Sequence, residues 1–344
     1  MNSMERVMTT INHQEPDRVP VFHLFSHYGA KEMGISIKKY FSNPDYVAKT
    51  QLHMGKKYSN DCLYTFFYAP IEIEAFGGEV IFAEDCPPNS GEPVIKSIEQ
   101  IKKINPPKIQ DSKCLHKVLK TTEMLKSFIG DKVPIIGVVM SPFSLPVMQL
   151  GFEKYLELLY FRKDEFEQLM KINQKFCVDW ANAQLKAGAA AICYFDPLAS
   201  PKIIERETYL KTGHKIAQKT ISQIKGAVAT HLASGIAFPV VDDIVETGSA
   251  VLGFSNEDNI EAIKERAANK ICLLGNLNGV EMASLDRNKV AKKVKNIIHQ
   301  AAKGGGFILS DNHGEIPYQV SEDILLEISE AVKKHGIYPI KVEK

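Results

Sequence analysis

Neither a long apolar run nor an excess of one charge marks this sequence. No window approaches the roughly 20 apolar residues of a membrane span, and the first twenty residues lack the apolar core of a signal peptide. Lys plus Arg total 42 and Asp plus Glu total 41. The protein therefore has no large net positive charge that would attract nucleic acid or anionic lipid. We therefore expect a cytoplasmic protein that binds neither nucleic acid nor membrane.

Cysteine and nucleotide-binding motifs are also scarce. The six cysteines lie far apart with no CxxC pair, which excludes a zinc ribbon and makes reduced thiols the expectation. No Gly-x-Gly-x-x-Gly follows the first predicted strand and no Gly-Lys-Ser/Thr loop occurs, which argues against a nucleotide-binding sheet. Hydrophobic residues nevertheless make up 44% of the 344 positions, enough for a real core.

Eight short β-branched or aromatic runs alternate with segments of helical spacing. Runs that are apolar on both faces and joined by helices are typical of parallel strands covered on both sides. Eight such units fit a single (β/α)8 TIM barrel over residues 1–344 better than an open doubly wound sheet. The predicted strands are residues 19–25, 61–67, 133–140, 189–195, 226–232, 249–255, 270–276 and 305–311.

Residues 68–97 interrupt the alternation after the second strand. They carry Gly77-Gly78 between alternating apolar and polar residues, which is typical of an inserted β-hairpin. Two interpretations stay open, a lid or wall above the barrel mouth and a plain surface hairpin.

Polar residues follow most of the predicted strands, where barrel enzymes carry their catalytic groups. Histidines are prominent among them, and His231 and His313 follow the fifth and eighth strands. Neutral imidazoles bind zinc, and carboxylates complete such sites when thiols are absent. We expect this pair to hold a metal across the mouth, or otherwise to act as general acid and base or to bind carboxylates. Asp196, before Pro197, is either a ligand-facing carboxylate or a helix cap.

Five segments together resemble the uroporphyrinogen decarboxylase superfamily, and within it the corrinoid-dependent methyltransferases related to methylcobamide:coenzyme M methyltransferase. The resemblance implies one (β/α)8 barrel with zinc at its mouth, which exchanges a methyl group with the cobalt of a small corrinoid protein. The segments are ERVMTTINHQEPDRVPV, SPFSLPVMQLGFEKYLELL, AGAAAICYFDPLAS, GNLNG and GGGFILSDNHGEIPYQVSEDILLEISEAVKKHG.

Departures from the family patterns narrow the choice among the family's reactions. The decarboxylases place an arginine-rich segment after the first strand, whereas this chain has HLFSHYGAKE without arginine, which argues against porphyrinogen decarboxylation. The thiol-methylating members carry His-x-Cys where this chain has His231 and Ala233, and a cysteine where it has His313. A zinc site of imidazole and carboxylate would be a stronger Lewis acid than a thiolate site.

These departures favour transfer of a methyl group from a small donor, a methoxylated aromatic or methylamine type, to the Co(I) of a corrinoid protein. The alternatives are a methylcorrinoid:thiol methyltransferase of the coenzyme M type, a non-catalytic corrinoid- or tetrapyrrole-binding barrel, and decarboxylation of another acidic substrate. The oligomeric state stays open. The predicted catalytic residues are His231, His313, Asp311 and Glu315, with His231, His313 and Glu315 as metal ligands; the predicted substrate-binding residues are His23, His27, Tyr64, Asp196 and Asn276.

Aromatic residues of strand two and the insertion suit a flat donor. Taken singly, each is better explained as a residue of the core or of the hairpin. They are Tyr64, Phe66, Phe67, Tyr68 and Phe76.

Overall fold

A computed structural model describes residues 1–341. Eight of the strands form one parallel sheet in which neighbours follow chain order and the first strand lies beside the last. This arrangement confirms the predicted barrel. All eight predicted runs contain a strand. The strands are β1 (Val21–Phe22), β2 (Leu63–Tyr64), β5 (Ile135–Met140), β6 (Ala191–Phe195), β7 (Ala227–His231), β8 (Val251–Gly253), β9 (Cys272–Leu277) and β10 (Phe307–Asp311), while β3 (Val80–Ile81) and β4 (Asn89–Ser90) form a separate pair.

The barrel closes between β1 and β2 through one backbone hydrogen bond and through the side chains of Asn60 and Asp61. The Asp61 N–H donates to the Val21 carbonyl at 2.7 Å. The Asn60 amide oxygen accepts from the His23 N–H at 2.6 Å, and its NH2 group donates to the His23 carbonyl at 3.1 Å. The amide group therefore supplies the backbone pairing that the two short strands lack.

Helices surround the barrel and connect its strands. The longest, over Lys163–Ala187, ends at Gly188, which lies in the left-handed region with φ of +117°. The helices are α1 (Ser3–Ile11), α2 (Tyr28–Met33), α3 (Ile37–Ser42), α4 (Pro44–Lys57), α5 (Ile71–Ala75), α6 (Lys113–Ile129), α7 (Pro146–Leu150), α8 (Phe152–Phe161), α9 (Lys163–Ala187), α10 (Arg206–Lys211), α11 (Gly213–Ile221), α12 (Val241–Glu246), α13 (Ile260–Ala267), α14 (Gly279–Met282), α15 (Arg287–Ala301) and α16 (Glu322–His335).

Successive side chains of each strand alternate between two cores. Cys193 and Phe195 of β6 join the cluster inside the barrel, whereas Ile192 and Tyr194 pack outward against Trp180 of α9. This period of two follows from strand geometry. It separates inward from outward side chains within each strand.

The insertion over residues 68–97 differs from the predicted hairpin. Ile71–Ala75 form helix α5, and Gly77, with φ of +88°, lies just past its end. A Cβ at Gly78 would clash with the Ile73 side chain, so the glycine pair allows a tight exit from a helix rather than a strand turn. The antiparallel pair that follows has two residues per strand, and a longer hairpin is not confirmed.

No helix within residues 1–341 is both long and apolar enough to span a bilayer. All six cysteines are free thiols.

Candidate active site

An arc of aromatic rings lines the inner wall of the mouth. Phe22 meets Tyr64 edge-on with centroids 5.5 Å apart, and Tyr64 contacts Phe66 at 5.5 Å. Phe66 stacks on Phe195 at 5.8 Å, and Phe195 lies 4.9 Å from the His231 ring. The wall suits a flat apolar ligand. Of the predicted aromatic residues, Tyr64 and Phe66 belong to it, whereas Phe67, Tyr68 and Phe76 lie in the core between barrel and helices.

His231 ends β7 with its ring on the inner face and only 1% of its surface exposed. The ring lies flat over Gly253, where a Cβ would be 2.5 Å from its Cδ2 atom. Its Nδ1 atom accepts a hydrogen bond from the Ala233 N–H at 3.0 Å, and its Nε2 atom has no partner. Burial, with repulsion from His313, lowers the pKa of His231 to about 4, so the ring is neutral and carries its proton on Nε2.

His313 repeats this arrangement from the loop after β10. Its Nδ1 atom accepts from the Gly279 N–H at 3.3 Å. Burial lowers the pKa of His313. This ring, too, is a neutral imidazole whose Nε2 atom carries the proton.

Asp311 lies at the end of β10 with a free carboxyl oxygen. One oxygen accepts from the backbone N–H groups of His313 and Gly314 at 3.0 and 2.9 Å, and the buried Oδ2 atom has no partner. Burial raises the pKa of Asp311 to about 7. The Tyr64 hydroxyl donates to the Gly314 carbonyl at 3.3 Å. Burial is the main cause that raises the pKa of Tyr64, and the charges of Asp311 and Glu315 are among the further causes. Near neutral pH about half of the Asp311 carboxyl groups therefore carry a proton, beside the loop that also contacts Tyr64.

His27 and Glu315 form a pair beside the same loop. The His27 Nδ1–H donates to the Glu315 carboxylate, with the atoms 3.0 Å apart. The ring stacks on Tyr318, and its buried Nε2 atom has no partner. Asn276, on the inner face of β9, donates its side-chain N–H to the Ser255 carbonyl at 3.0 Å.

Two predicted substrate-binding residues point away from the mouth. The His23 ring packs 5.4 Å from Phe25, which belongs to the core outside the barrel, and burial lowers the pKa of His23 to about 3. Asp196 lies two positions after Tyr194 and, like it, points out of the barrel. It accepts hydrogen bonds from the Ser141 and Ser144 hydroxyls at 2.7 Å each. Burial raises the pKa of Asp196 to about 6. Both residues support the wall from behind.

The histidines do not fit the predicted zinc site. Coordination through Nε2 needs the ring proton on Nδ1, but in His231 and His313 Nδ1 accepts from backbone N–H groups. Within residues 1–341 no group of three or more His, Cys, Asp or Glu is placed to hold a metal ion. Glu315, the predicted third ligand, is bound by His27.

Some site residues escape reasoning from sequence. Phe195 immediately precedes the conspicuous Asp196, and only the alternation along β6 shows that the phenyl ring, not the carboxylate, faces inward. Asn312 donates to the Asn256 side chain at 2.7 Å, and its buried carbonyl oxygen has no partner. Its place in the polar SDNHGE loop is the one available signal.

A barrel with unpartnered titratable groups at the carboxyl ends of its strands has the architecture of a (β/α)8-barrel enzyme. The uroporphyrinogen decarboxylase family model matches residues 2–335. The chain therefore belongs to the uroporphyrinogen decarboxylase family, which confirms the resemblance.

Relatives of both reaction types are similar over most of the chain. A uroporphyrinogen decarboxylase of Cellvibrio japonicus is 25% identical, with 80% of this chain and 79% of that protein covered. The methylcobamide:CoM methyltransferase MtaA of Methanosarcina barkeri is 22% identical, with 93% and 94% covered. A solved methyltransferase from Methanosarcina mazei has the same fold, with a TM-score of 0.87, 19% identity and coverage of 97% and 99%.

Proposed function

We propose that this protein is a corrinoid-dependent methyltransferase. It takes a methyl group from a small methylated donor, a methoxylated aromatic in first place and a methylamine in second, and transfers it to the Co(I) of a partner corrinoid protein. The observation that carries the proposal is a mouth that combines an aromatic wall with neutral imidazole N–H donors. The similarity to the Methanosarcina methyltransferases supports it.

The arginines support methyl transfer over porphyrinogen decarboxylation. A substrate with many carboxylates needs several cationic donors in its cleft. All six arginines of the chain instead form ion pairs with acidic side chains elsewhere. The pairs are Arg6–Asp17, Arg18–Asp61, Arg162–Glu165, Arg206–Asp243, Arg266–Asp242 and Arg287–Glu327.

The thiol-directed alternative has less support. Methylation of a thiol is helped by a bound metal that holds the thiolate, and the mouth histidines do not fit that role. Three cysteines, Cys62, Cys193 and Cys272, lie inside the barrel, but burial first of all raises the pKa of each thiol.

The residues assist departure of the donor oxygen. The cobalt of the partner is the nucleophile that attacks the methyl carbon. The C–O bond breaks, its electron pair stays on the oxygen, and a proton from Asp311 Oδ2 neutralises that oxygen. The Nε2–H groups of His231 and His313 stabilise the developing charge, and Tyr64, Phe66 and Phe195 hold the ring. His27 and Asn276 complete the polar side of the mouth, and Glu315 orients His27.

The test is anaerobic methylation of cob(I)alamin, followed by the loss of its absorbance. We expect turnover with methoxylated aromatics and less with methylamines. Demethylation of methylcobalamin by thiol without this forward reaction would contradict the proposal. Absence of both reactions, with the donor bound, would favour the non-catalytic barrel.

Replacing Asp311 by asparagine tests the proton donor. The amide oxygen of the new side chain retains the acceptor for the His313 and Gly314 N–H groups, but the side chain has no transferable proton. We expect the rate of methyl transfer from anisole-type donors to fall about 100-fold. The loss should be much smaller for 4-nitroanisole, whose phenolate needs no proton to leave. An equal loss for both donors would show that Asp311 acts only through the loop structure.

A further inference from the structure

The two imidazoles at the mouth are fixed in one tautomer by the backbone. The Ala233 and Gly279 N–H groups can bond only to a lone pair on Nδ1. The neutral rings of His231 and His313 must then carry their protons on Nε2. Both rings are thus hydrogen-bond donors at Nε2, and neither has a lone pair on that atom.

The His231 donor is left unsatisfied by the protein. Its Nε2 atom is buried and has no partner, and a buried unpaired polar group costs about 1–3 kcal/mol. A ligand atom with a lone pair removes that cost, whereas an ammonium group has no lone pair to offer. The donor therefore selects a ligand that presents a lone pair, as an oxygen anion does, over an ammonium group.

The surroundings restrict the shape and charge of that ligand. Phe66 and Phe195 stack with ring planes 30° apart, and Phe195 lies beside the His231 ring, so aromatic rings flank that imidazole. Glu315, the carboxylate beside the loop, is bound by the His27 N–H. Every arginine is paired elsewhere, so the mouth has no guanidinium to bind a polyanion.

We propose that the mouth binds a planar aromatic oxyanion, with an oxygen accepting from His231 Nε2–H and His313 Nε2–H. Phenolate and arenecarboxylate share this chemistry. A phenolate is the conjugate base of the phenol that the proposed reaction releases, and a carboxylate is a ring substituent that a methoxylated donor can carry. Only this link to the methyl donor rests on the proposed function; binding of the oxyanion does not.

The tautomers are measured on the wild-type chain by two-bond ¹H–¹⁵N correlation of its ten histidine rings. The His231→Ala and His313→Ala variants assign the two signals. We expect an Nε2–H pattern for both rings. An Nδ1–H pattern at His231, the form that metal coordination through Nε2 requires, would overturn the proposal.

Ligand selection is measured by calorimetry without any corrinoid. The probes are 4-nitrophenolate, benzoate and benzyltrimethylammonium. We expect one or both anions to bind at least tenfold more tightly than the cation, and the preferred anion distinguishes phenolate from carboxylate. His231→Ala should weaken anion binding at least tenfold. His53→Ala, a change at an exposed histidine, should leave it unchanged.

Equal or tighter binding of the cation would overturn the assignment of ligand class. Anion binding that is insensitive to His231→Ala, with the circular dichroism spectrum preserved, would place the anion elsewhere and also overturn it. Anion binding without methyl transfer to cob(I)alamin would instead contradict the proposed function alone. Failure of the ligand proposal and failure of the proposed function are therefore distinguishable.

Discussion

Replacing His231 by alanine is expected to slow methyl transfer from methoxylated aromatics by about 100-fold, the effect of removing one preorganised donor from a developing oxyanion. The ring supplies an unpartnered N–H in a buried setting, where such a donor is worth more than in water. Most of the loss should appear in kcat because the oxygen gains its charge only as the methyl group leaves. The measurement is single-turnover methylation of cob(I)alamin at saturating donor.

His53→Ala provides the matched control. That ring is 62% exposed and lies within helix α4, so its loss should change neither the rate nor the fold. A His231→Ala variant that retains most of the wild-type rate would show that the N–H donor takes no part in the reaction.

Glu72→Gln is expected to stabilise the protein at pH 9 by up to about 5 kcal/mol. Glu72 lies in α5 with 2% exposure, accepts from the Met140 N–H at 2.9 Å, and leaves its second oxygen buried without a partner. Burial raises the pKa of this carboxyl from 4.5 to about 8. The upper bound follows from about 1.4 kcal/mol per unit of pKa shift.

The sign of the pH dependence follows from proton uptake on folding. Because the folded-state pKa lies above the unfolded value, the group costs nothing below pH 4.5 and destabilises the fold increasingly up to pH 8. Glutamine retains the acceptor for Met140 and has no charge to bury. Urea unfolding of wild type and variant at pH 5 and pH 9 measures the difference.

Glu123→Gln serves as the control because that side chain is 56% exposed, and it should change stability little at either pH. A Glu72→Gln variant that is no more stable than wild type at pH 9 would contradict the account of the buried carboxyl. It would mean that Glu72 is ionised in the fold and favourably solvated.

The alternation of apolar runs and helical segments is sufficient to predict the barrel. All eight strands lie where β-branched runs occur, because strands covered on both faces must be apolar throughout. The 68–97 segment shows the limit of that signal. IEIEA alternates as a strand does, but Gly77 and Gly78 permit the tight exit of a short helix.

The strand ends locate the site without giving side-chain direction. His231 ends one strand and Asp196 directly follows another. Because side chains alternate between the two faces of a strand, a shift of one position decides whether a residue faces the mouth or lies behind the wall. The sequence also does not show which ring nitrogen carries the proton. The Ala233 and Gly279 backbone N–H groups fix that position, and every residue except proline has such a group.

Transfer of an isotopic label from donor to cobalt is the measurement that tests methyl transfer by this protein. The wild-type protein, cob(I)alamin and an anisole-type donor with a ¹³C-labelled methoxy group are mixed anaerobically and followed by ¹³C NMR. We expect the label to appear as methylcobalamin, with one phenol released for each methyl group transferred. Label that stays on the donor oxygen while the ligand is bound, or methylcobalamin formed without release of phenol, would contradict it.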